Sequence, residues 1–181
     1  MNMNIEEKIL LYAVRTKKDP EAYGKLYDLY IDRVYRFVLF KISHKEQAED
    51  LTSEIFLKAW RYLIRPDEKS VKHFRGFIYQ ITRNTIIDWY RERAKKQEFS
   101  LDSVAEAPAR HGSPEQIADM FDANLTLELL KKLKQEYQEV IFLKYVEGFS
   151  TADIARIVGK KPTAVRVTLH RAIKKLKSLT P

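Results

Sequence analysis

What most limits the fold of this chain is a stretch near its middle that carries no pattern. From Lys96 to Gly112, apolar Leu101 and Val104 are scattered without a sustained period, and Pro108, His111 and Gly112 follow. Neither an amphipathic helix nor an alternating strand can be drawn through it, so one continuous core cannot span it. On both sides apolar residues return every three or four positions, the spacing of helices with one buried face. Only 5 Gly and 6 Pro interrupt the 181 residues, and no stretch reads as a convincing strand. The expected fold is therefore all-α: two small helical domains, residues 1–95 and 123–181, joined by a flexible linker over residues 96–122.

Charge divides the chain at the same places. Residues 1–95 hold 19 Lys and Arg against 14 Asp and Glu, residues 96–122 hold 2 against 6, and residues 123–181 hold 12 against 5. A basic, acidic, basic order suits two modules that meet a polyanion, separated by a segment that cannot. Other classes are excluded by what is missing. No apolar run approaches the roughly 18 residues needed to cross a bilayer. Glu6 and Glu7 stand where a signal peptide would be basic, so a cytoplasmic protein without membrane insertion is expected. Zero Cys removes disulfides and thiolate chemistry, and His44, His73, His111 and His170 are scattered; neither a metal nor a cofactor is expected. Gly159-Lys160 lacks the rest of a phosphate loop.

Local signals mark helix starts. Asp19-Pro20 forms an N-cap and first-turn pair ahead of Tyr23, Leu26, Tyr27, Tyr30, Val34, Phe37 and Val38. Ser43 to Glu46 reads as a capping box before Ala48, Leu51, Ile55 and Ala59. A third helix runs from about Phe74 through Ile78, Ile81, Thr85 and Trp89 to a basic end at Arg91, Arg93, Lys95 and Lys96. Ser113-Pro114-Glu115-Gln116 is another capping box beyond the linker.

The sharpest signal lies near the C-terminus. Ser150 caps a helix with Asp153 three residues on, Ile154, Ala155 and Val158 supply its buried side, and Gly159 permits the left-handed turn that ends it. Pro162 opens a second helix with Val165, Leu169, Ile173 and Leu176 as its apolar stripe. This is a helix-turn-helix, with small Ala155 allowing close approach and Val165 filling the angle. Arg166, His170, Arg171, Lys174 and Lys175 on the open side of the second helix suit a reader of the DNA major groove.

Three segments together resemble bacterial sigma factors of the extracytoplasmic-function group, and the resemblance covers nearly the whole chain. Glu147-Gly148-Phe149-Ser150 through Ala172 is similar to the family's region 4, which reads the minus-35 promoter element. The run Ala48-Glu49-Asp50-Leu51-Thr52-Ser53-Glu54-Ile55-Phe56-Leu57-Lys58-Ala59-Trp60 resembles its region 2 core. Phe74-Arg75-Gly76-Phe77 through Arg91 resembles the strand-opening helix that follows. The resemblance implies a non-enzymatic factor that binds core RNA polymerase, at its clamp helices and flap, and directs transcription initiation at specific promoters. It also implies an anti-sigma partner. Asp50 and Glu54 would pair with basic residues of the clamp, while Leu51, Phe56 and Trp60 would supply either apolar contact there or core. Tyr79, Arg83, Asn84, Asp88, Trp89 and Arg91 would hold the opened minus-10 element, with Asn84 and the loop from Arg65 to His73 around one flipped base. Arg166, Thr168, His170, Arg171 and Lys174 would contact minus-35 DNA.

Physical chemistry favours these roles. Opened DNA is trapped by aromatic faces beside cations, because stacking is worth about 1 to 3 kcal/mol per base. Phe77, Tyr79, Trp89 and Tyr90 interleave with Arg75, Arg83, Arg91 and Arg93, and the alternative for the rings, Phe77, Tyr79 and Trp89 among them, is a place in the core. Asp50 and Glu54, four apart, share one helix face with no acid-base partner set for catalysis. Glu98, Asp102, Glu106 and Glu115 give the linker a negative charge that would mimic RNA on the exit path. The pattern departs from the family at Lys161, Thr163, Ala164, Val167 and Thr168, so the minus-35 sequence cannot be carried over, and at Leu133-Lys134, where a Leu-Pro is common. A dimeric helix-turn-helix repressor would leave the region 2 motifs unexplained. A helical interaction protein without a DNA partner would lack salt-dependent nucleic-acid affinity.

Overall fold

The structure, a computed structural model, describes residues 5–65, 71–98 and 129–179, and for 96–98 the backbone alone. The expected linker begins as the last turn of α4 over residues 96–98, and the rest of it, with the capping box at Ser113, lies outside the described residues. Among the described residues all regular structure is helical. The chain divides into two compact units.

The first unit contains α1 (Ile5–Lys17), α2 (Pro20–Ile42), α3 (Lys45–Leu63) and α4 (Phe74–Glu98). Asp19 caps α2 as its sequence demands, its carboxylate accepting from the backbone N–H of Glu21 at 2.9 Å and of Ala22 at 3.2 Å. The cap of α3 falls one residue later than the Ser43 box predicts. Ser43 is taken up in closing α2: it adopts φ 57°, and its N–H donates to the Leu39 carbonyl at 2.8 Å. His44, the first extended residue, caps α3 instead, with Nδ1 accepting from the Gln47 N–H at 3.5 Å. Leu26, Val34, Phe37, Ile55, Leu63 and Ile78 are among the residues that fill the core.

No sequence signal above identified α1. Its buried side is Glu7, Leu10, Leu11 and Val14, at helical spacing but opened by an acidic residue. The Glu7 carboxyl accepts from the Tyr30 hydroxyl at 2.5 Å and from the backbone N–H of Phe74 at 3.1 Å and of Arg75 at 3.4 Å. Two orphan donors at the start of α4 are thus satisfied by a side chain from α1. Burial, and then this bond to Glu7, pushes the Tyr30 phenol pKa upward and keeps it a neutral donor.

The second unit contains α5 (Gln135–Ile141), a π-helical turn over Phe142–Val146, α6 (Thr151–Val158) and α7 (Pro162–Lys177). Lys134 takes φ −60°, the angle a proline would fix, so the departure from Leu-Pro leaves the turn intact. Gln138 completes it, its amide donating to the carbonyls of Lys131 at 3.2 Å and Leu133 at 2.8 Å. The π turn buries both Phe142 and Leu143, and the chain leaves it through Gly148 at φ +67°.

Candidate nucleic-acid interface

The pair α6 and α7 is built as its sequence dictates. The Ser150 hydroxyl accepts from the Asp153 N–H at 3.1 Å while the Ser150 N–H donates to the Asp153 carboxylate at 3.3 Å, a reciprocal capping box. Burial opposes ionisation of Asp153, but its bonds from Ser150 and Arg156 prevail and hold its pKa below the usual carboxylate value. Gly159 ends α6 at φ +68°, a backbone conformation that costs a side chain roughly 1 to 2 kcal/mol. Pro162 then starts α7. Ala155 and Val165 are both buried, as close packing of the two helices requires.

Burial of Val165, Leu169 and Ala172 fixes which way α7 faces. Arg166, His170, Arg171, Lys174 and Lys175 are all exposed. Thr168 stands apart from them: it is half-buried, and its hydroxyl donates to Glu136 of α5 at 3.4 Å. Its hydroxyl proton is engaged within the unit, and its oxygen keeps acceptor capacity. The same Glu136 carboxylate accepts from Lys160 in the turn. That bond, ahead of burial which acts the other way, lowers the Glu136 pKa. One carboxylate therefore ties α5 to both the turn and the recognition helix.

The corresponding surface of α4 differs from expectation. Tyr79 is 0% exposed, packed against Phe37 with ring centroids 5.7 Å apart. It is a core residue and offers no face to a base. Phe77 is half-buried against Tyr62 at 4.9 Å. Tyr90 donates its hydroxyl to the Lys41 carbonyl at 2.6 Å, locking α4 to the end of α2. Trp89, also half-buried, lies edge-on to Tyr90 at 5.0 Å and carries the Arg93 guanidinium over its ring at 5.1 Å. Arg93 reaches on to the Gln47 side chain at 3.1 Å. The exposed row of α4 is Gln80, Asn84, Asp88 and Arg91, at helical spacing, with Asp88 and Arg91 paired at 3.4 Å. Arg83 is half-buried beside that row. Asn84 thus stands in the open on α4. Residues 66–70 of the loop expected to complete its pocket lie outside the described residues.

On α3, Asp50 and Glu54 are exposed, and Lys58 bridges Glu54 at 2.7 Å. Leu51 and Phe56 are buried, and Trp60 packs half-buried against Tyr23 at 5.0 Å. Of the two alternatives for Leu51 and Phe56, contact or core, both take the core: they share the inward side with Ala48, Ile55 and Ala59. Leu57, 47% exposed and in register with Asp50 and Glu54, is the apolar residue on that face. An apolar residue seven positions after Asp50 was the available signal. Among the described residues there is no cluster of potential metal ligands and no helix long and apolar enough to cross a membrane.

Comparison with known proteins identifies the regions that carry these surfaces. Residues 26–96 match the family described as Sigma-70 region 2, and residues 123–176 match Sigma-70, region 4. The ECF RNA polymerase sigma factor BldN of Streptomyces coelicolor is 31% identical over 90% of this chain and 62% of its own length. The RNA polymerase sigma factor YlaC of Bacillus subtilis is 31% identical over 88% of this chain and 92% of its own. The ECF RNA polymerase sigma factor SigW of the same organism is 29% identical over 94% of each. Among solved structures, CnrH in complex with the cytosolic domain of CnrY shares the fold, with TM-score 0.72 at 22% identity over 96% of both chains. The sigma factor RpoE in complex with the anti-sigma factor NepR from Bartonella quintana has TM-score 0.67 at 25% identity, covering 87% of this chain and 95% of that one. With two sigma-70 regions in order and relatives of this kind along most of its length, the chain belongs to the sigma-70 family, in the extracytoplasmic-function group of RNA polymerase sigma factors.

Proposed function

We propose that this protein binds core RNA polymerase and directs it to a particular set of promoters, melting the minus-10 element with α4 and reading the minus-35 element with α7. The observation that carries the reading is the outward row of cations on α7, held by a capped helix-turn-helix inside the part of the chain that matches region 4. Phosphate contacts from such a row supply affinity, and side chains in the groove supply choice of sequence. Arg166, His170 and Arg171 are the proposed base-side residues and Lys174 a phosphate contact. On α4 the proposed minus-10 residues are Asn84, Asp88 and Arg91, with Arg83 and Trp89 beside them. On α3, Asp50, Glu54 and Leu57 form the proposed contact with the polymerase clamp, and Trp60 supports it. Catalysis belongs to the polymerase, and the site of action is the cytoplasm where transcription runs. The anti-sigma factor seen on RpoE supports a masking partner for this chain too.

Run-off transcription tests the reading. Core polymerase with the full chain should yield a defined transcript from fragments it selects out of genomic DNA, and Asp50→Lys with Leu57→Glu should abolish it. Equal transcription with and without the chain would refute the proposal.

A further inference from the structure

The outward face of α7 is not uniformly basic. With 100° of rotation per residue, Val167 lies roughly 170° around the helix from the mean direction of buried Val165, Leu169 and Ala172. It is 48% exposed, and exposed Thr163 precedes it by one turn on the same side, with exposed Ala164 at the flank. Lys174 shares that direction two turns later, while Arg166 lies toward one edge. The first half of the exposed face therefore presents methyl groups, and the second half presents Arg171, Lys174 and Lys175.

That division matters because the first turns of a recognition helix are the part that meets base edges. In the major groove thymine alone carries a methyl group, and an apolar side chain against it discriminates without a hydrogen bond. A β-branched valine has restricted side-chain freedom, so its methyls are held in place before binding.

We propose that Val167 is a specificity-determining residue of α7, selecting a thymine in the minus-35 element by contact with its 5-methyl group, with Thr163 flanking the same contact. This rests on the promoter-reading function proposed above. The Thr163 methyl extends the apolar surface along the groove. Arg166 at the edge is then the hydrogen-bonding reader of a neighbouring base, and the lysines anchor the register.

The test uses the full chain in holoenzyme with core RNA polymerase. Fragments are first selected from a randomised promoter pool, then rebuilt with each minus-35 thymine replaced singly by deoxyuridine, which removes only the methyl. The wild type should lose about three- to fivefold in affinity at one position, the worth of one buried methyl group. Val167→Ser should bind thymine and uracil at that position equally, and Val167→Ile should restore the preference. Substitution at this exposed site leaves the fold intact, which helical circular dichroism verifies. A selected minus-35 element without a thymine, or a uracil penalty that persists in Val167→Ser, overturns the methyl contact while leaving promoter reading in place. Failure of the holoenzyme to select any fragment overturns promoter reading itself, and the contact with it.

Discussion

The two helices proposed to meet DNA, α4 and α7, teach different lessons about aromatic and basic residues in sequence. On α7 the inward stripe is aliphatic and the outward face, Val167 and Ala164 apart, is polar, so the helical period separates most of the core from the surface. On α4 aromatic rings stand on the core side and on both its flanks, and the same composition that suits base stacking also suits a core. Tyr79 went to the core and Phe77 into an aromatic cluster with Tyr62, while Trp89 kept part of its face with Arg93 above it. An aromatic beside an arginine in sequence says nothing about which of them faces water. Only packing from α2 and α3 decides.

The largest expected effect tests that assignment. Tyr79→Ala should destabilise the first unit by about 3 to 5 kcal/mol, the usual cost of emptying a large aromatic from a core. Both tryptophans, Trp60 and Trp89, lie in this unit, so denaturant unfolding followed by tryptophan fluorescence reports it alone. A loss below 1 kcal/mol would return Tyr79 to the surface. Next in size is Asn84→Ala, which removes no core contact because Asn84 is exposed. Closed-complex binding should stay within twofold while open-complex formation falls about tenfold, the scale of one base-edge hydrogen bond. Permanganate reactivity of minus-10 thymines measures it, and unchanged reactivity removes Asn84 from the interface.

Two smaller effects sharpen the other side of the comparison. Ser150→Ala removes the capping box of α6 and should cost about 1 kcal/mol in the second unit, read by circular dichroism during unfolding, with tryptophan fluorescence unaffected. The smallest concerns pH. Glu136 and Asp153 both have folded pKa values held below their ordinary ones. Such groups add stability that is fully present above the unfolded carboxylate pKa and is lost as pH falls through the folded value. The second unit should therefore weaken modestly on acidification below the carboxylate range. Glu136→Gln should flatten part of that dependence, and an unchanged slope would release Glu136 from its bonds to Lys160 and Thr168.

Legibility followed the range of the interactions. The all-α class, the Asp19 cap, the Ser150 box, the Gly159 turn and the Pro162 start rest on contacts a few residues apart, and all were readable. So were the exposed Asp50, Glu54, Arg166, His170, Arg171 and Lys174. What escaped depends on partners distant in the chain. Leu51 and Phe56 are inward because of α2, Thr168 donates to distant Glu136, and α1 is disguised by the buried Glu7. Val167 and Leu57 were visible as apolar residues, but no rule of spacing alone sets an exposed one apart from the core.

Glu7 also orders events in time. Its partners at the head of α4 are 67 and 68 residues further along the chain. During synthesis from the N-terminus, α1 to α3 are complete while that carboxyl group still lacks its two N–H donors, and burying it then is costly. The first unit therefore closes only once Phe74 and Arg75 have been made. A chain interrupted between Leu63 and Phe74 leaves the Glu7 carboxyl with only the Tyr30 hydroxyl of these three donors.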